Sequence, residues 1–324
     1  MKPLNKMGIK VAVVVPCYKV KTHILAVISQ IGSEVNAIYV VDDGCPEASG
    51  AYVESKCEDT RVKVIYHQKN MGVGGAVISG YSYAIAEGAT IIIKIDGDGQ
   101  MNPALIPKFI KPIAEGIADY VKGNRFFDLD FLVEMPKLRL IGNAVLSFIS
   151  KMASGYWDIM DPTNGYTAIH AGVLKMIPLH KVDKRYFFES DMLFRLNILR
   201  AVVYDLPIPA KYGTEESNLK ISRVIFEFPG KYINRCFKRI FYNYFLRDFN
   251  IGSVELIIAV ILITAGTSFG LFHWYFSLTQ GKLATSGTVM LSSLPIILGF
   301  QSLLSAINYD VTNVPKIPLH KILN

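Results

Sequence analysis

Two long apolar stretches in the last quarter of the chain constrain its fold more than any other feature. Residues 254–278 and 288–307 are each long enough to cross a hydrocarbon core of about 30 Å at about 1.5 Å per residue. Glu255 and His273 lie near the ends of the first stretch, and the second contains no ionisable residue. The pattern predicts two transmembrane helices in a hairpin. The alternative is a buried pair of helices in a soluble protein.

The charges that flank this hairpin predict its orientation. Residues 220–250 hold seven Lys and Arg against two acidic residues, whereas the linker between the stretches holds Lys282 alone. Because Lys and Arg concentrate on the cytoplasmic side of a membrane, both termini and the soluble domain before the hairpin are predicted to be cytosolic. The four cysteines lack metal-ligand spacing and fit free thiols in a reducing compartment. We therefore expect a multi-pass protein of the cytoplasmic (inner) membrane.

The net charge of +7 does not require a nucleic-acid partner. Five units of it lie in residues 220–250, where cations alternate with aromatic side chains such as Phe237, Phe241 and Phe249. A basic, aromatic-rich segment next to a membrane span is typical of an interfacial helix that binds anionic lipid headgroups. The alternative is an ordinary amphipathic helix packed on the soluble domain.

The first 125 residues alternate short apolar runs with helical patterns. Strands are predicted at residues 11–15, 37–41, 62–66, 90–95 and 119–121. Helices are predicted near residues 22–31, 47–58, 75–87 and 103–115. This alternation favours an α/β fold with a mainly parallel, Rossmann-like sheet and helices on both faces. We assign residues 1–219 to this domain, 220–250 to juxtamembrane helices, 251–307 to the transmembrane pair and 308–324 to a cytosolic tail.

The loop Asp96-Gly97-Asp98-Gly99-Gln100 follows the fourth predicted strand. Two carboxylates two residues apart, with the amide oxygen of Gln100, supply the oxygen ligands that Mg²⁺ or Mn²⁺ prefers, and such an ion often bridges to phosphate. The alternative is an acidic turn that caps the next helix. The loop lies at a strand end, where parallel sheets bind ligands, and this position favours the metal site.

Two other strand ends carry candidate ligand-binding residues. Asp42 and Asp43 can accept hydrogen bonds from a base or a ribose, or can form a turn with Gly44. Gly72 and Gly74 open a predicted helix but lack the spacing and strand context of a dinucleotide-binding fingerprint. We interpret that segment as the start of a helix that approaches a bound ligand closely.

Together these motifs resemble the family 2 glycosyltransferases, which have the GT-A fold. The resemblance covers about residues 8–215 and lies in four segments: Val13-Val-Val-Pro16-Cys-Tyr18, Val41-Asp-Asp-Gly44, Asn70-x-Gly-x-Gly-Gly-Ala76 and Asp96-Gly-Asp-Gly-Gln100. It implies inverting transfer from a UDP- or GDP-sugar with a divalent metal. It places Pro16, Tyr18, Gly97 and the glycine-rich helix start around the donor, with Asp42 or Asp43 at the nucleobase. It places Asp96 and Asp98 near the diphosphate and the metal, and Gln100 in the metal shell.

The second half of the domain is similar to polyprenyl-phosphate glycosyltransferases, of the dolichol-phosphate mannose synthase and bactoprenol glucosyltransferase type. The similarity lies in Gly123-Asn-Arg125, Arg139, Asp161-Pro-Thr-Asn164-Gly-Tyr166 and Tyr212-Gly213…Ser217-x-Leu-Lys220. It implies that Arg125, Arg139, Asp161 and Asn164 bind phosphates of the donor or of a lipid-phosphate acceptor.

The acceptor depends on an acidic pair. Glu189 and Asp191 resemble the pair that supplies a general base in relatives acting on hydroxyl acceptors. A lipid phosphate is already anionic and needs little base catalysis, whereas a sugar hydroxyl needs a positioned carboxylate. We expect transfer to polyprenyl phosphate. The alternative is transfer to a hydroxyl of a lipid-linked glycan in surface-polysaccharide assembly, with Asp191, or less favourably Glu189, as the base.

Two further hypotheses concern assembly. Gly266 and Gly270 can let hairpins of several chains pack together into a homo-oligomer. A catalytically silent membrane scaffold is the alternative from another functional class, and the intact Asp-Gly-Asp loop argues against it.

Overall fold

The computed structural model describes residues 8–127, 137–209 and 221–323, with the side chains of 137–139 and 221–226 left aside. The segment 212–220 named above therefore lies outside the described residues, and so does the side chain of Arg139. The chain divides into two compact units. The first comprises residues 1–236 and 315–324, and the second comprises residues 237–314.

The first unit is built on a seven-stranded sheet. Its strands are β1 (Val11–Cys17), β2 (Ala37–Asp42), β3 (Val62–Tyr66), β4 (Ile91–Lys94), β5 (Tyr120–Asn124), β6 (Thr167–His170) and β7 (Val203–Pro207). They are ordered β3-β2-β1-β4-β6-β5-β7. All pairs are parallel except those that β6 makes with β4 and β5. The predicted mainly parallel α/β sheet is confirmed.

Helices cover both faces of this sheet. They are α1 (Ile24–Ser29), α2 (Ser49–Lys56), α3 (Val73–Ala86), α4 (Ile106–Ala114), α5 (Lys137–Ser154), α6 (Ala171–Met176) and α7 (Phe188–Leu199). Side chains alternate between the faces of a strand. Val13 therefore packs with α1 and α4 on one face, whereas Val14 faces Gly80 of α3 on the other. Nearly unbroken Val and Ile runs suit strands buried on both faces.

Strands β6 and β7 are additions to the sequence-based prediction. The β6 strand has only four residues and follows directly on the polar Asp161–Tyr166 segment, so it gives no apolar run to detect. It pairs antiparallel with β4, with Lys94 opposite Thr167, and with β5, with Lys122 opposite Thr167. Three polar side chains thus lie side by side on the face of the sheet that α7 covers.

The end of the chain returns to the first unit. The buried carboxylate of Asp119 accepts hydrogen bonds from the backbone N–H groups of Leu319 (2.8 Å), His320 (2.9 Å) and Val202 (2.8 Å). It also contacts Nδ1 of His320 at 2.6 Å. The ring of His320 stacks on His170 with 4.4 Å between centroids. Residues 308–324 are predicted from the sequence to be a cytosolic tail, whereas in the structure residues 315–323 pack as part of this unit.

The second unit contains two long helices, α9 (Ile251–Gln280) and α10 (Ser286–Thr312). Both are long and apolar enough to cross a membrane, and only 11% of the most apolar 18-residue window of each is buried. They extend beyond the predicted spans at both ends. Ser305 donates to Glu255 at 2.6 Å, which gives this carboxyl group of α9 a partner within the pair.

The glycines of this pair serve contacts between its two helices. A Cβ at Gly266 would lie 2.8 Å from the Ser292 carbonyl, and one at Gly299 would lie 2.8 Å from Ile263. A Cβ at Gly270 would overlap the Ser292 hydroxyl. The hypothesis that Gly266 and Gly270 join separate chains therefore does not fit, because both already allow close approach within one chain.

One helix, α8 (Ile221–Phe241), carries the basic aromatic segment and is followed by a π-helical turn, Tyr242–Arg247. Phe228, Lys231, Tyr232 and Arg235 recur at helical spacing and pack on the segment 183–191 of the first unit. Arg239 pairs with Asp310 in the second unit at 2.6 Å. Much of the predicted lipid-binding charge is thus used inside the protein, although Phe237, Lys238 and Phe241 have exposed side chains.

Candidate active site

The carboxyl ends of β2, β1 and β4 lie next to one another at one edge of the sheet. Cys17 at the end of β1 is in register with Asp42 at the end of β2, and β4 pairs on the other side of β1. A Cβ at Gly97 would lie 3.3 Å from the Pro16 carbonyl, so the loops after β1 and β4 touch. Tyr18, on the loop after β1, is 40% exposed.

Asp42 and Asp43 are buried and accept backbone hydrogen bonds. Asp42 accepts from the N–H groups of Cys45 and Gly50, both at 2.7 Å, and so closes the turn after β2 and holds the start of α2. Asp43 accepts from Met71 and Gly72, both at 2.8 Å, and from the ring of His67 at 2.7 Å. These bonds make both carboxylates organisers of the loops around the site.

The glycines at the start of α3 face protein backbone. A Cβ at Gly72 would lie 2.5 Å from the Lys184 carbonyl, and one at Gly74 would lie 2.6 Å from the Asp183 carbonyl. The Gly75 N–H donates to Lys184 at 3.0 Å. Gly72 also has a φ of +90°, which L side chains rarely adopt. The close approach expected from a donor is therefore made, at these glycines, by the segment 183–185.

The Asp96–Gln100 loop offers oxygen ligands at the same edge. Asp98 accepts the Gln100 N–H at 2.9 Å, with Gly99 between them at a φ of +80°. The side chain of Asp96 is 29% exposed, and Gln100 lies at the surface. Among the described residues, no group of three His, Cys, Asp or Glu side chains surrounds a cation position. The residues fit a Mg²⁺ or Mn²⁺ ion that takes further oxygens from a bound diphosphate.

A fully buried lysine connects this loop to α7. The Lys94 ammonium lies 3.0 Å from a carboxylate oxygen of Asp96 and 3.0 Å from one of Glu189. Burial alone would lower the pKa of Lys94, but the two carboxylates outweigh it and raise the pKa above its ordinary value. Lys94 is therefore charged. No motif of the sequence points to Lys94, although a lysine inside the apolar run Ile91–Ile95 is an available signal.

Asp191 has surroundings that do not suit a general base. Its side chain has no exposed area and pairs with Arg195 (3.1 Å) and Arg235 (2.5 Å). It also accepts the Asp183 N–H at 2.9 Å. Two guanidinium groups enclose it, and a substrate hydroxyl has no access to it. Glu189 lies nearer to the Asp96 loop, but its carboxylate is held by Lys94.

The predicted phosphate-binding residues form one cluster. Arg125 forms two hydrogen bonds to the fully buried carboxylate of Asp161, at 2.7 and 3.1 Å, and its own side chain is 36% exposed. Asn164 donates to Asp161 at 3.2 Å. The buried ammonium of Lys122 donates to the Asn164 carbonyl, and burial lowers the pKa of Lys122 to about 8. Asp161 and Asn164 thus position Arg125 rather than present themselves to a phosphate.

Comparison with known proteins identifies the family. The family described as glycosyl transferase family 2 matches residues 12–177, just over half of the chain. A UDP-N-acetylglucosamine–dolichyl-phosphate N-acetylglucosaminyltransferase of Methanococcus voltae is 34% identical over 168 residues, which cover 52% of this chain and 66% of that one. An undecaprenyl-phosphate mannosyltransferase of Micrococcus luteus is 30% identical over 173 residues, which cover 53% and 70%.

Solved structures match the fold. Glucosyl-3-phosphoglycerate synthase from Mycobacterium tuberculosis in complex with UDP aligns with a TM-score of 0.56 at 17% identity, over 72% of this chain and 82% of that one. A structure of that enzyme with Mn²⁺, UDP and glucosyl-3-phosphoglycerate aligns with a TM-score of 0.52. The expected GT-A fold and the resemblance to polyprenyl-phosphate glycosyltransferases are confirmed. The chain belongs to glycosyl transferase family 2 and is a glycosyltransferase.

Proposed function

We propose that this protein transfers a sugar, with inversion at the anomeric carbon, from a nucleotide-sugar donor to polyprenyl phosphate such as undecaprenyl phosphate. The relatives from Methanococcus voltae and Micrococcus luteus are named for dolichyl-phosphate and undecaprenyl-phosphate acceptors. A UDP-sugar is the favoured donor, because the Methanococcus voltae relative is named for a UDP-sugar. A solved enzyme with this fold, glucosyl-3-phosphoglycerate synthase, holds UDP.

The surroundings of Asp191 carry the choice of acceptor. A hydroxyl acceptor needs a carboxylate that can reach it and take its proton. Asp191 is enclosed by two arginines, and Glu189 is paired with Lys94. A phosphate acceptor is already anionic at neutral pH and can attack without such a base, which fits this arrangement. Transfer to a glycan hydroxyl would require one of these ion pairs to open.

We assign the donor to the edge formed by the ends of β2, β1 and β4. Ligands of parallel sheets bind at this edge. Tyr18 presents an exposed ring there, while Pro16 and Gly97 hold the two flanking loops together. Asp43 fixes the start of α3 beside the same edge through its bonds to Met71 and Gly72.

Asp98, Asp96 and Gln100 would hold a divalent cation, Mg²⁺ or Mn²⁺. Such an ion would neutralise negative charge on the departing nucleotide diphosphate. Asp98 suits this role because it lies two residues from Asp96 at the same strand end, and the Gln100 N–H bonded to one of its oxygens orients the carboxylate. Asp96 shares its charge with Lys94 and is the weaker ligand.

Arg125 is the proposed contact for the acceptor phosphate. The Asp161 carboxylate fixes the orientation of the guanidinium, which remains partly exposed. Arginine in such a fixed orientation recognises phosphate through directed N–H donors. Arg139 is proposed for the same role on its sequence position alone.

A lipid acceptor also fits the apolar surfaces of each unit. In the first unit, α5 exposes Ile141, Val145, Phe148 and Met152, which share one face of the helix. In the second unit, α9 and α10 expose most of their apolar surface. We propose that both units associate with the cytoplasmic membrane, that α9 and α10 span it, and that the catalytic unit and the tail are cytosolic.

The test is a transfer assay with the purified full chain in lipid nanodiscs. The assay contains Mn²⁺, undecaprenyl phosphate and, in turn, radiolabelled UDP- and GDP-sugars. We expect an acid-labile, chloroform-soluble product from a UDP-sugar, with the anomeric configuration inverted by NMR. Asp98→Ala should reduce product formation by at least about a hundredfold, the scale of losing one electrostatic contact to the transition state.

Glu58→Gln, which changes an exposed carboxylate far along the chain from the motif, is the matched control for this loss. Product with a lipid-linked glycan but none with undecaprenyl phosphate would refute the proposed acceptor. Unchanged activity of Asp98→Ala, or full activity with EDTA, would refute the metal site.

A further inference from the structure

Lys94 has no role of its own in the proposed function beyond its ion pairs with Asp96 and Glu189. It is the last residue of β4, 1% exposed, and points to the face covered by α7. Its Nζ lies at equal distances of 3.0 Å from Asp96 and Glu189. A buried ammonium is stable only where carboxylates compensate its charge. Here one positive charge is shared by two negative charges, so the three side chains carry a net charge of −1.

The surrounding backbone leaves space for this arrangement. A Cβ at Gly165 would overlap Nζ of Lys94 and would lie 2.8 Å from Asp96. Glu189 lies in the first turn of α7, and a Cβ at Gly74 would lie 2.9 Å from Cβ of the preceding Phe188. Lys94 is therefore held in a fixed place between the strand-end loop and α7.

We propose that Lys94 is a positioning residue that sets how strongly Asp96 binds a cation, and that Glu189 adjusts this by taking part of the lysine's charge. The inference rests on the proposed function, because it concerns a cation at Asp96 and Asp98. The ammonium competes with a cation for Asp96. Glu189 draws the ammonium toward α7 and so leaves more of the Asp96 charge available.

Two substitutions should then change cation affinity in opposite directions. Lys94→Met removes the competing charge and leaves a net charge of −2 on the two carboxylates. Glu189→Gln keeps the shape of the side chain but leaves Lys94 paired with Asp96 alone, at a net charge of 0. We expect Mn²⁺ to bind about tenfold more tightly to the first and about tenfold more weakly to the second, the scale of one unit charge at hydrogen-bonding distance in a partly buried site.

The measurement is Mn²⁺ binding without turnover. The full chain in detergent is titrated with Mn²⁺ at saturating UDP, and free Mn²⁺ is followed by electron paramagnetic resonance. Turnover of Lys94→Met is measured separately and should fall although Mn²⁺ binds more tightly, because Asp96 loses its fixed position. A merely structural role would weaken binding and lower turnover together in both variants.

Lys122→Met is the matched control for the loss of a buried lysine. Lys122 is also fully buried, but its ammonium donates to the Asn164 carbonyl. Its effect on Mn²⁺ affinity should be clearly smaller than that of Lys94→Met. If Lys94→Met does not fold, the near-isosteric Glu189→Gln decides, since the proposed charge sharing predicts that folded Glu189→Gln protein still binds Mn²⁺, but more weakly than the wild type.

The outcomes separate the inference from the proposed function. If the wild-type chain with UDP bound takes up no Mn²⁺, the proposed metal site is wrong and the inference is overturned with it. If the wild-type chain binds Mn²⁺ and both variants shift its affinity in the same direction, or neither shifts it, only the inference is overturned.

Discussion

At the scale of single residues, the two acidic side chains at the start of α7 differ in what their removal should do. Asp191 is enclosed with Arg195 and Arg235, and the Asp191→Asn variant leaves both guanidinium groups without a counter-charge. Breaking a buried ion pair from one side costs about 3–5 kcal/mol. We expect the melting temperature to fall by about 6–20 °C, at roughly 2–4 °C per kcal/mol for a domain of this size.

This prediction is checked by thermal unfolding of the purified chain, followed by intrinsic fluorescence. The exposed carboxylate variant Glu58→Gln should melt like the wild type. Folded Asp191→Asn protein should still make the polyprenyl-phosphate product at low temperature. An unchanged melting temperature combined with complete loss of transfer would instead make Asp191 a catalytic residue.

These residues also show what the sequence can and cannot predict about the site. Asp96 and Asp98 were found because parallel strands bring their ends to one edge, which follows from strand order along the chain. The partner Arg235 of Asp191 and the partner His320 of Asp119 could not be found, since Arg235 is 44 residues from Asp191 and His320 is 201 residues from Asp119. No local pattern encodes such pairs.

At the scale of elements, the junction between α3 and the segment 183–188 depends on the absence of a side chain at Gly74. In Gly74→Ala, the new Cβ would lie 2.6 Å from the Asp183 carbonyl and 2.9 Å from Phe188. Displacing packed backbone costs about 1–3 kcal/mol. We expect the free energy of unfolding to fall by that amount, and turnover to fall as well because the same segment leads to Glu189.

Gly142→Ala is the matched control for this change. Gly142 lies inside α5, and a Cβ there meets no heavy atom within 4 Å. Alanine should stabilise that helix by about 0.5–1 kcal/mol. Chemical denaturation should therefore show a lower free energy of unfolding than the wild type for Gly74→Ala and a higher one for Gly142→Ala. A stable Gly74→Ala variant would mean that the junction can shift without cost.

A second element, the returning tail, should make stability depend on pH. Burial, with the neighbouring His320 ring, lowers the pKa of His170 from 6.5 to about 4. The unfolded chain takes up this proton near pH 6.5 and the folded chain only near pH 4, so stability is lost as the pH falls between these values. Asp119 favours protonation and Lys175 opposes it. Allowing for solvent screening of a half-buried ring, the loss is about 1–2 kcal/mol.

The measurement compares chemical denaturation at pH 7.5 and pH 5 for the wild type and His170→Gln. The variant should lose about 1–2 kcal/mol less between these values. His180→Gln, which changes an exposed histidine, should leave the pH dependence unchanged. Equal pH dependence in the wild type and His170→Gln would show that His170 is not buried by the tail.

The elements themselves were predictable to different degrees. Strands β1–β4 have long Val and Ile runs, and the spans of α9 and α10 have nearly pure apolar sequences, so both were predicted. The β6 strand has four residues and its antiparallel direction depends on pairing with β4 and β5. The amphipathic pattern of α8 correctly indicated a helix, but it could not tell whether lipid or the segment 183–191 covers each side.

At the scale of the whole molecule, the path of the chain bears on membrane topology. The chain leaves the first unit after Cys236 and re-enters it at Pro315. If α9 and α10 cross a membrane, residues on either side of the pair belong to one folded unit and must be on the same side. The same-side placement does not depend on the positive-inside rule. That rule counts the cations Lys231, Arg235 and Arg239, which are engaged in ion pairs within the protein.

The linker between α9 and α10 should therefore be accessible from outside the cell. In Lys282→Cys, a membrane-impermeant maleimide added to intact cells should label the new thiol, because Lys282 is exposed just after the end of α9. The wild-type chain is the control, since its cysteines lie at positions 17, 45, 57 and 236, all in the catalytic unit. It should be labelled only after the membrane is opened and the protein denatured.

Labelling of Lys321→Cys in intact cells would place the tail, and with it the catalytic unit, outside the cell. Protection of both Lys282→Cys and Lys321→Cys in intact cells, with labelling after the membrane is opened, would mean that the two helices do not both cross the membrane.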